Sequence, residues 1–207
     1  MKQVQLFGGS IIANVKENFK DVSDIRPIPD HQEVFLALED TLTGAPPQNV
    51  SLIVEILDME SIPSDIDAVS GEAIRYYFKD LATSNESSSD EIISTGKNAH
   101  GGLFPLIVPP IDAFFLVGKQ NGVNSETGND VQLVLILLRL AHVQTDILIT
   151  LHLPVESGSV SDHLLNSPCR DSDEIEGDSL AVLHVKCLRS FLNSFEIIDW
   201  SLFSPTH

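Results

Sequence analysis

Residues 131–153 constrain this chain more than any other stretch. Val131–Ala141 and Thr145–Leu153 are two almost unbroken apolar runs, and the connection between them is tight enough to force an antiparallel return. Strands that are hydrophobic on both faces belong in the middle of a sheet covered on both sides. A layered α+β fold, with helices packed against an antiparallel sheet, is therefore predicted. Neither run is a membrane span: VQLVLILLRL (131–140) is closed by Arg139 and falls short of the roughly 18 apolar residues a span needs.

The length of 207 residues fits a single domain with a substantial core, 1–207. Against 12 Lys and Arg stand 30 Asp and Glu, a net charge of −18. Phosphate binding requires basic side chains, so nucleic acid and anionic membrane are disfavoured as partners. A basic protein surface is favoured, and long-range attraction would speed association with it. The N-terminal MKQVQLFGGSIIANV has no apolar run of signal-peptide length. Cys169 and Cys187 are too few for a disulfide framework, which suits a reducing compartment, nucleus or cytoplasm. No surplus apolar stripe compels a dimer, so a monomer is expected.

Along the chain, Val4–Val15 reads as a hairpin pivoting on Gly8-Gly9. In DVSDIRPIPDHQEVF (21–35), Ser23 can cap one helical turn before Pro27 and Pro29 force extended backbone into a strand at Glu33–Leu38. TLTGAPPQN is a loop. In VSLIVEILDME (50–60), Leu52, Ile53, Ile56 and Leu57 recur at helical offsets, predicting a short amphipathic helix with Asn49 or Ser51 as N-cap. On such a helix Glu55 and Asp58 would leave one face together. A second helix is predicted over Gly71–Ala82, with Ala73, Tyr76, Tyr77 and Leu81 inward. Acidic, Ser-rich loops are expected at about 83–91 and 155–178. Strands are expected at Ile92–Thr95, Leu106–Val108 and Ala113–Gln120, with a turn at Gly122–Asp130. Ser179–Phe195 is helical in period, and Trp200 and Phe203 of the tail should pack back.

Common catalytic signatures are missing. Gly118-Lys119 is followed by Gln120 and has no phosphate-loop partner glycine upstream. Neither G-x-G-x-x-G nor G-x-S-x-G occurs. The seven His show no metal-ligand spacing. DSDEIEGD (171–178) fails as a calcium loop because its sixth position is Glu176 and its twelfth Val182. No cofactor, metal or bond chemistry is predicted.

Taken together, LFGG (6–9), DVSDIRPIPDHQEVF (21–35), SLIVEILD (51–58), GKQ (118–120), LLRL…QTDILIT (137–150) and IIDWSLF (197–203) resemble the Mog1 family, the Ran guanine nucleotide release factors. The runs are collinear with that family across most of the chain. The resemblance implies a Mog1/PsbP-like α+β fold, a six-stranded antiparallel sheet flanked by helices on both faces. It implies a nuclear-transport accessory protein that binds the small GTPase Ran, promotes loss of bound GTP and holds a nucleotide-free form. The family's acidic pair falls on Glu55 and Asp58, which would engage a basic surface near the nucleotide site of Ran. The 21–35 run supplies Asp24, Arg26, Asp30, Gln32 and Glu33 as further candidate contacts. Where family members commonly carry Pro-Pro after the first hairpin, this chain has Lys16-Glu17-Asn18. Alternatives of other classes are a PsbP-like extrinsic structural subunit and an acidic scaffold that binds basic protein tails.

Overall fold

The computed structural model describes residues 1–37, 50–59, 71–98, 102–108, 111, 113–123, 129–155 and 180–203. At its N-terminus β1 (Lys2–Leu6) and β2 (Ile11–Val15) form the expected hairpin. They turn through a 3-10 segment, Phe7–Gly9, in which all three residues have positive φ. Glycine takes that conformation without a Cβ clash, which explains the Gly8-Gly9 pair. β3 (Phe19–Asp21) follows directly, after a turn closed by the Phe19 N–H on the Lys16 carbonyl.

The segment from Val22 to His31 makes one helical turn, with the Ile25 and Arg26 N–H groups donating to the Val22 carbonyl at 2.8 and 3.0 Å. Its cap is Asp21 rather than Ser23, because the Asp21 carboxylate accepts the Ser23 N–H at 2.8 Å. β4 (Gln32–Ala37) continues as predicted. The loop expected at 41–49 lies outside the described residues.

The helix expected over 50–60 is not formed in its described part, 50–59. Ser51–Asp58 forms β5, paired with β4 on one side and with a later strand on the other. Side chains therefore alternate, and Glu55 and Asp58, three residues apart, leave opposite faces of the sheet. The single ledge bearing both carboxylates does not exist.

α1 (Glu72–Ser84) buries Ala73, Ile74, Tyr77, Phe78 and Ala82, while Tyr76 and Leu81 are only partly covered. β6 (Ser89–Asn98) begins sooner than predicted, so the expected loop at 83–91 shrinks to a turn at 85–88. Leu106–Val108 is irregular rather than a strand. It lies in a segment whose Leu103, Phe104 and Ile107 insert into the core. β7 (Ala113–Val123), β8 (Asn129–Leu140) and β9 (Thr145–Pro154) follow, the last two joined through a 3-10 turn, Ala141–Val143. The loop expected at 155–178 lies, but for Val155, outside the described residues. α2 (Leu180–Asn193), β10 (Glu196–Ile197) and a 3-10 turn, Trp200–Phe203, are the last described elements.

Strands β3 to β9 make a seven-stranded antiparallel sheet in the order β3-β4-β5-β9-β8-β7-β6, and β1, β2 and β10 make a second sheet of three. This corrects the expected six strands. Part of the difference is the short edge strand β3, where Phe19 pairs Ala37 and Asp21 pairs Phe35. β8 and β9 pair from Val131↔Pro154 to Leu140↔Thr145, the central pair that the apolar runs require.

The two faces of the large sheet bury different layers. α1 covers one, packing against Phe114, Leu116, Leu133, Leu135, Leu137 and Leu148. The other meets the small sheet and α2, where Val185, Leu188 and Phe191 join Phe35, Leu52, Val54, Val134, Ile136 and Ile149. Gly118 is required by the first contact, since a Cβ there would lie 2.5 Å from the Phe78 ring. Two residues on, buried Gln120 accepts from the Asn85 side-chain amide at 2.8 Å and donates to the Phe78 carbonyl at 3.3 Å. The GKQ run thus docks α1 on the sheet.

Candidate functional site

The functional candidates gather where β4 starts and β5 ends. β4 begins at Gln32, opposite Glu55, whereas β5 runs on to Asp58 opposite Thr145 of β9. Past Glu55 the β4 side of β5 is therefore an edge, joined to the preceding chain by the Ile56 N–H on the His31 carbonyl at 2.9 Å. Glu55 stands at the start of that edge, on the α1 face. Asp58 stands exposed at its end, on the other face.

Glu55 is half-buried and accepts from the Gln32 side-chain amide at 2.5 Å. Burial raises its pKa above the usual carboxylate value. The Gln32 hydrogen bond and the neighbouring His31 pull the other way, and Asp80 of α1 adds to the rise. On the opposite face of β4, Glu33 accepts the Phe7 N–H at 2.5 Å. Its pKa is raised too, first by burial, against the lowering effect of that hydrogen bond, with Asp21 adding repulsion.

An open cleft of about 470 Å³ lies beside Glu33. Phe7 and Gly8 of the hairpin turn, Ile28, Pro29 and Asp30 of the β3–β4 segment, Gln32, Glu33 and Leu202 of the C-terminal turn line it. Of the predicted residues, Asp30, Gln32 and Glu33 meet here, and Gln32 ties Glu55 to them. Asp24 and Arg26 are exposed on the same segment without lining the cleft, and Asp58 lies apart from it. Phe7 and Leu202 were not among the predicted site residues. Their only signal in the sequence was membership of the LFGG and IIDWSLF runs.

A second polar group braces the same end. The Arg139 guanidinium donates twice to Asp146, through Nε to Oδ1 at 2.9 Å and a terminal nitrogen to Oδ2 at 2.8 Å. The Tyr77 hydroxyl donates to Oδ2 at 2.9 Å. Asp146 is fully buried, and desolvation, then the Asp146 charge and hydrogen bond, push the Tyr77 pKa up. This network ties α1 to the β8–β9 turn. In that turn the His142 ring lies 5.0 Å from Trp200, and the Gln144 carbonyl accepts the Met59 N–H at 3.1 Å. Among the described residues no cluster of His, Cys, Asp and Glu could hold a metal ion.

A model of the family described as "Ran-interacting Mog1 protein" matches residues 4–154. The chain belongs to the Mog1 family. The Ran guanine nucleotide release factor of Homo sapiens is 36% identical over 152 residues, covering 72% of this chain and 74% of that protein. The nuclear import protein mog1 of Schizosaccharomyces pombe is 27% identical over 207 residues, covering 97% of this chain and all of that one, 100%. The crystal structure of the Saccharomyces cerevisiae Ran-binding protein Mog1p superposes with a TM-score of 0.66 at 22% identity over 98% of both chains, a likeness of fold. In this Mog1-family chain five of the six quoted runs touch one another at one end of the molecule. Phe7 meets Glu33, His31 meets Ile56, Leu57 pairs with Asp146, and Leu202 lines one cleft with Phe7 and Glu33. The sixth, GKQ, serves packing.

Proposed function

We propose that this chain is a Ran-binding factor of nuclear transport, which promotes guanine nucleotide release from Ran and stabilises the nucleotide-free form. The observation that carries the reading is the family match over residues 4–154, seconded by relatives named as Ran guanine nucleotide release factors. The site residues assigned to the contact are Glu55 and Asp58, with Asp24, Arg26, Asp30, Gln32 and Glu33 around them. Instead of one helical ledge, the two main carboxylates flank the β5 edge beyond the start of β4. A partner clasping that edge meets Glu55 from one side and Asp58 from the other.

Such a factor acts by differential affinity. It binds one state of Ran better than another, and the shift it produces is limited by that difference. Carboxylates presented to basic groups near the nucleotide compete with its phosphates for positive charge. No bond is made or broken in this scheme, so the chain works as a regulator rather than a catalyst. Its place of action is nucleus and cytoplasm, and it works as a monomer.

The experiment is titration of the chain into Ran loaded with a fluorescent guanine nucleotide, following complex formation and loss of signal together. Accelerated loss is expected for the native sequence. Truncating one partner of a desolvated charge pair costs about 2–5 kcal/mol, so Glu55→Lys/Asp58→Lys should bind several decades more weakly with an unchanged circular dichroism spectrum. A folded double variant that releases nucleotide at the native rate would overturn the site assignment. Absence of both binding and release by the native chain would overturn the function itself.

A further inference from the structure

We infer that Asn121-Gly122 is a latent site of deamidation, held off while Ser89 and Asp130 keep its two reacting groups apart. The inference is independent of the reading above. Asn121-Gly122 is the one Asn-Gly step in the chain, and it falls near the end of β7. An asparagine followed by glycine is chemically labile, because no Cβ on the next residue shields the backbone nitrogen. That nitrogen attacks Cγ of the side-chain amide and closes a succinimide ring. The Cγ–Nδ2 bond breaks, and ammonia leaves with the proton that the backbone nitrogen gave up. Water then opens the ring to aspartate or isoaspartate, adding one negative charge.

The fold asks for this dipeptide and restrains it. Between Gln120↔Val131 and Val123↔Asn129, Asn121 and Gly122 face Asp130 alone, a bulge. Gly122 has a φ of +62° there, and a Cβ on it would lie 2.7 Å from Ser88 Oγ, which favours glycine. Asn121 is drawn toward β6. Its carbonyl accepts the Ser88 N–H at 2.9 Å and the Ser88 hydroxyl at 3.0 Å, and its Nδ2 donates to Ser89 Oγ at 2.9 Å. The Gly122 N–H points the other way and donates to Asp130 Oδ1 of β8 at 3.0 Å. Lys119 in turn holds Asp130, 3.6 Å away. The attacking nitrogen thus leans on one neighbouring strand, and the carbon it would attack is held toward the other. Reaction waits for this corner to open locally. Its products would keep the corner loose, since aspartate lacks the donor to Ser89 and isoaspartate lengthens the backbone by one carbon. The corner lies away from Glu55 and Asp58. Gln120 pairs Val131 and Val131 pairs Pro154, at the opposite end of β9 from Thr145, the partner of Asp58.

The test follows acid formed at residue 121 by peptide mass spectrometry, with isoaspartate counted by enzymatic methyl labelling. The full chain is incubated at mildly alkaline pH, both folded and in urea. The folded chain should react at least roughly 10-fold more slowly, because only locally opened molecules contribute. Ser89→Ala and Asp130→Ala, with thermal melts to check the fold, should each react roughly 5-fold faster than the native chain, the weight of one hydrogen bond. Equal rates in the folded and unfolded chain would overturn the restraint, and so would a native rate in either folded variant. A slower reaction in Asp130→Ala would make that carboxylate the base that activates Gly122, and would overturn it as well. No acid at residue 121 in urea would overturn the lability itself. The comparison of folded with unfolded chain decides the matter even where a variant does not fold.

Discussion

Asp146 and Glu55 occupy neighbouring strands on the same face of the large sheet, since Asp146 pairs with Leu57 and Glu55 with the next residue on that face, Leu148. Their surroundings differ. Asp146 is fully buried and receives a forked guanidinium and a phenol. Glu55 is half-buried and receives one side-chain amide. A buried charge persists only when paired and hydrogen-bonded. Asp146 is satisfied within the fold, so it belongs to the scaffold. Glu55 keeps a raised pKa and unmet acceptor capacity, so it has something to offer a partner. Two carboxylates on neighbouring strands of one sheet face are thus divided between stability and binding by the company of their oxygens.

The hardest way to break that division is to remove the cation. Arg139→Leu strands Asp146 without its partner, and such a loss typically costs about 3–5 kcal/mol. Urea denaturation should register a fall of that size. Arg139→Leu combined with Asp146→Leu should recover most of it, because the unpaired charge disappears with its partner. A single-variant loss below about 1 kcal/mol would mean that the pair behaves as a surface ion pair, and the contrast with Glu55 would collapse.

His152 extends the comparison along the same face. It pairs with Leu133 and with Ser51, and its Nε2 is buried without a hydrogen-bond partner among the described residues. Where Asp146 is paired with a guanidinium and a phenol, His152 is held neutral, and desolvation lowers its pKa from 6.5 to about 4. A depressed folded-state pKa gives stability that is fully present above the unfolded value and lost as pH falls. Between pH 6.5 and 4 the unfolded chain takes up a proton that the native chain refuses, so stability should drop by up to about 3 kcal/mol. His152→Leu should flatten this part of the profile, as read by denaturation at pH 7, 5.5 and 4. An equally steep profile in the variant would assign the slope to other groups.

These contrasts also explain what could be read from the chain alone. β8 and β9 were legible because continuous apolar runs with a tight return have few other solutions. β5 was not, because it is covered on both sides. Leu52 and Val54 serve one layer while Ile53 and Leu57 turn to the other, and apolar residues on both faces erase the period of two. What remained, at 52, 53, 56 and 57, imitated a helical stripe. Glu55 and Asp58 kept their candidacy through family resemblance while their geometry was misread. The cleft was illegible for another reason. Residue 7, the 28–33 segment and residue 202 meet only through tertiary packing, and no local pattern encodes that meeting.

A milder probe acts on the phenol. Tyr77→Phe keeps the ring between α1 and the sheet and deletes one donor to Asp146, whose fork with Arg139 remains. The expected cost is about 1 kcal/mol, below the ~1.5–3 kcal/mol of hydrogen bonds to charged groups because the Arg139 fork still satisfies the carboxylate. Thermal unfolding measures it. A cost matching that of Arg139→Leu would make the three groups one indivisible unit.

The smallest change in stability is expected at Glu55, and it is the most informative. Glu55→Gln preserves shape and leaves an amide to bond Gln32, so the free energy of unfolding at neutral pH should move by no more than about 0.5 kcal/mol. Its direction should be upward. A raised folded-state pKa means that the native chain holds the proton better than the unfolded one. The stabilising contribution of that proton is fully present below the ordinary carboxylate value and is lost as pH rises through the raised one. Neutral pH therefore leaves an ionised, half-buried Glu55 as a burden on the fold, and glutamine lifts it. Ran affinity should move the opposite way, falling as the charge is lost. A variant that is slightly more stable and markedly weaker in binding would mean that the charge is kept for the partner at the expense of the fold. If stability and affinity fall together, Glu55 belongs with Asp146 in the scaffold, and the division between the two carboxylates is wrong.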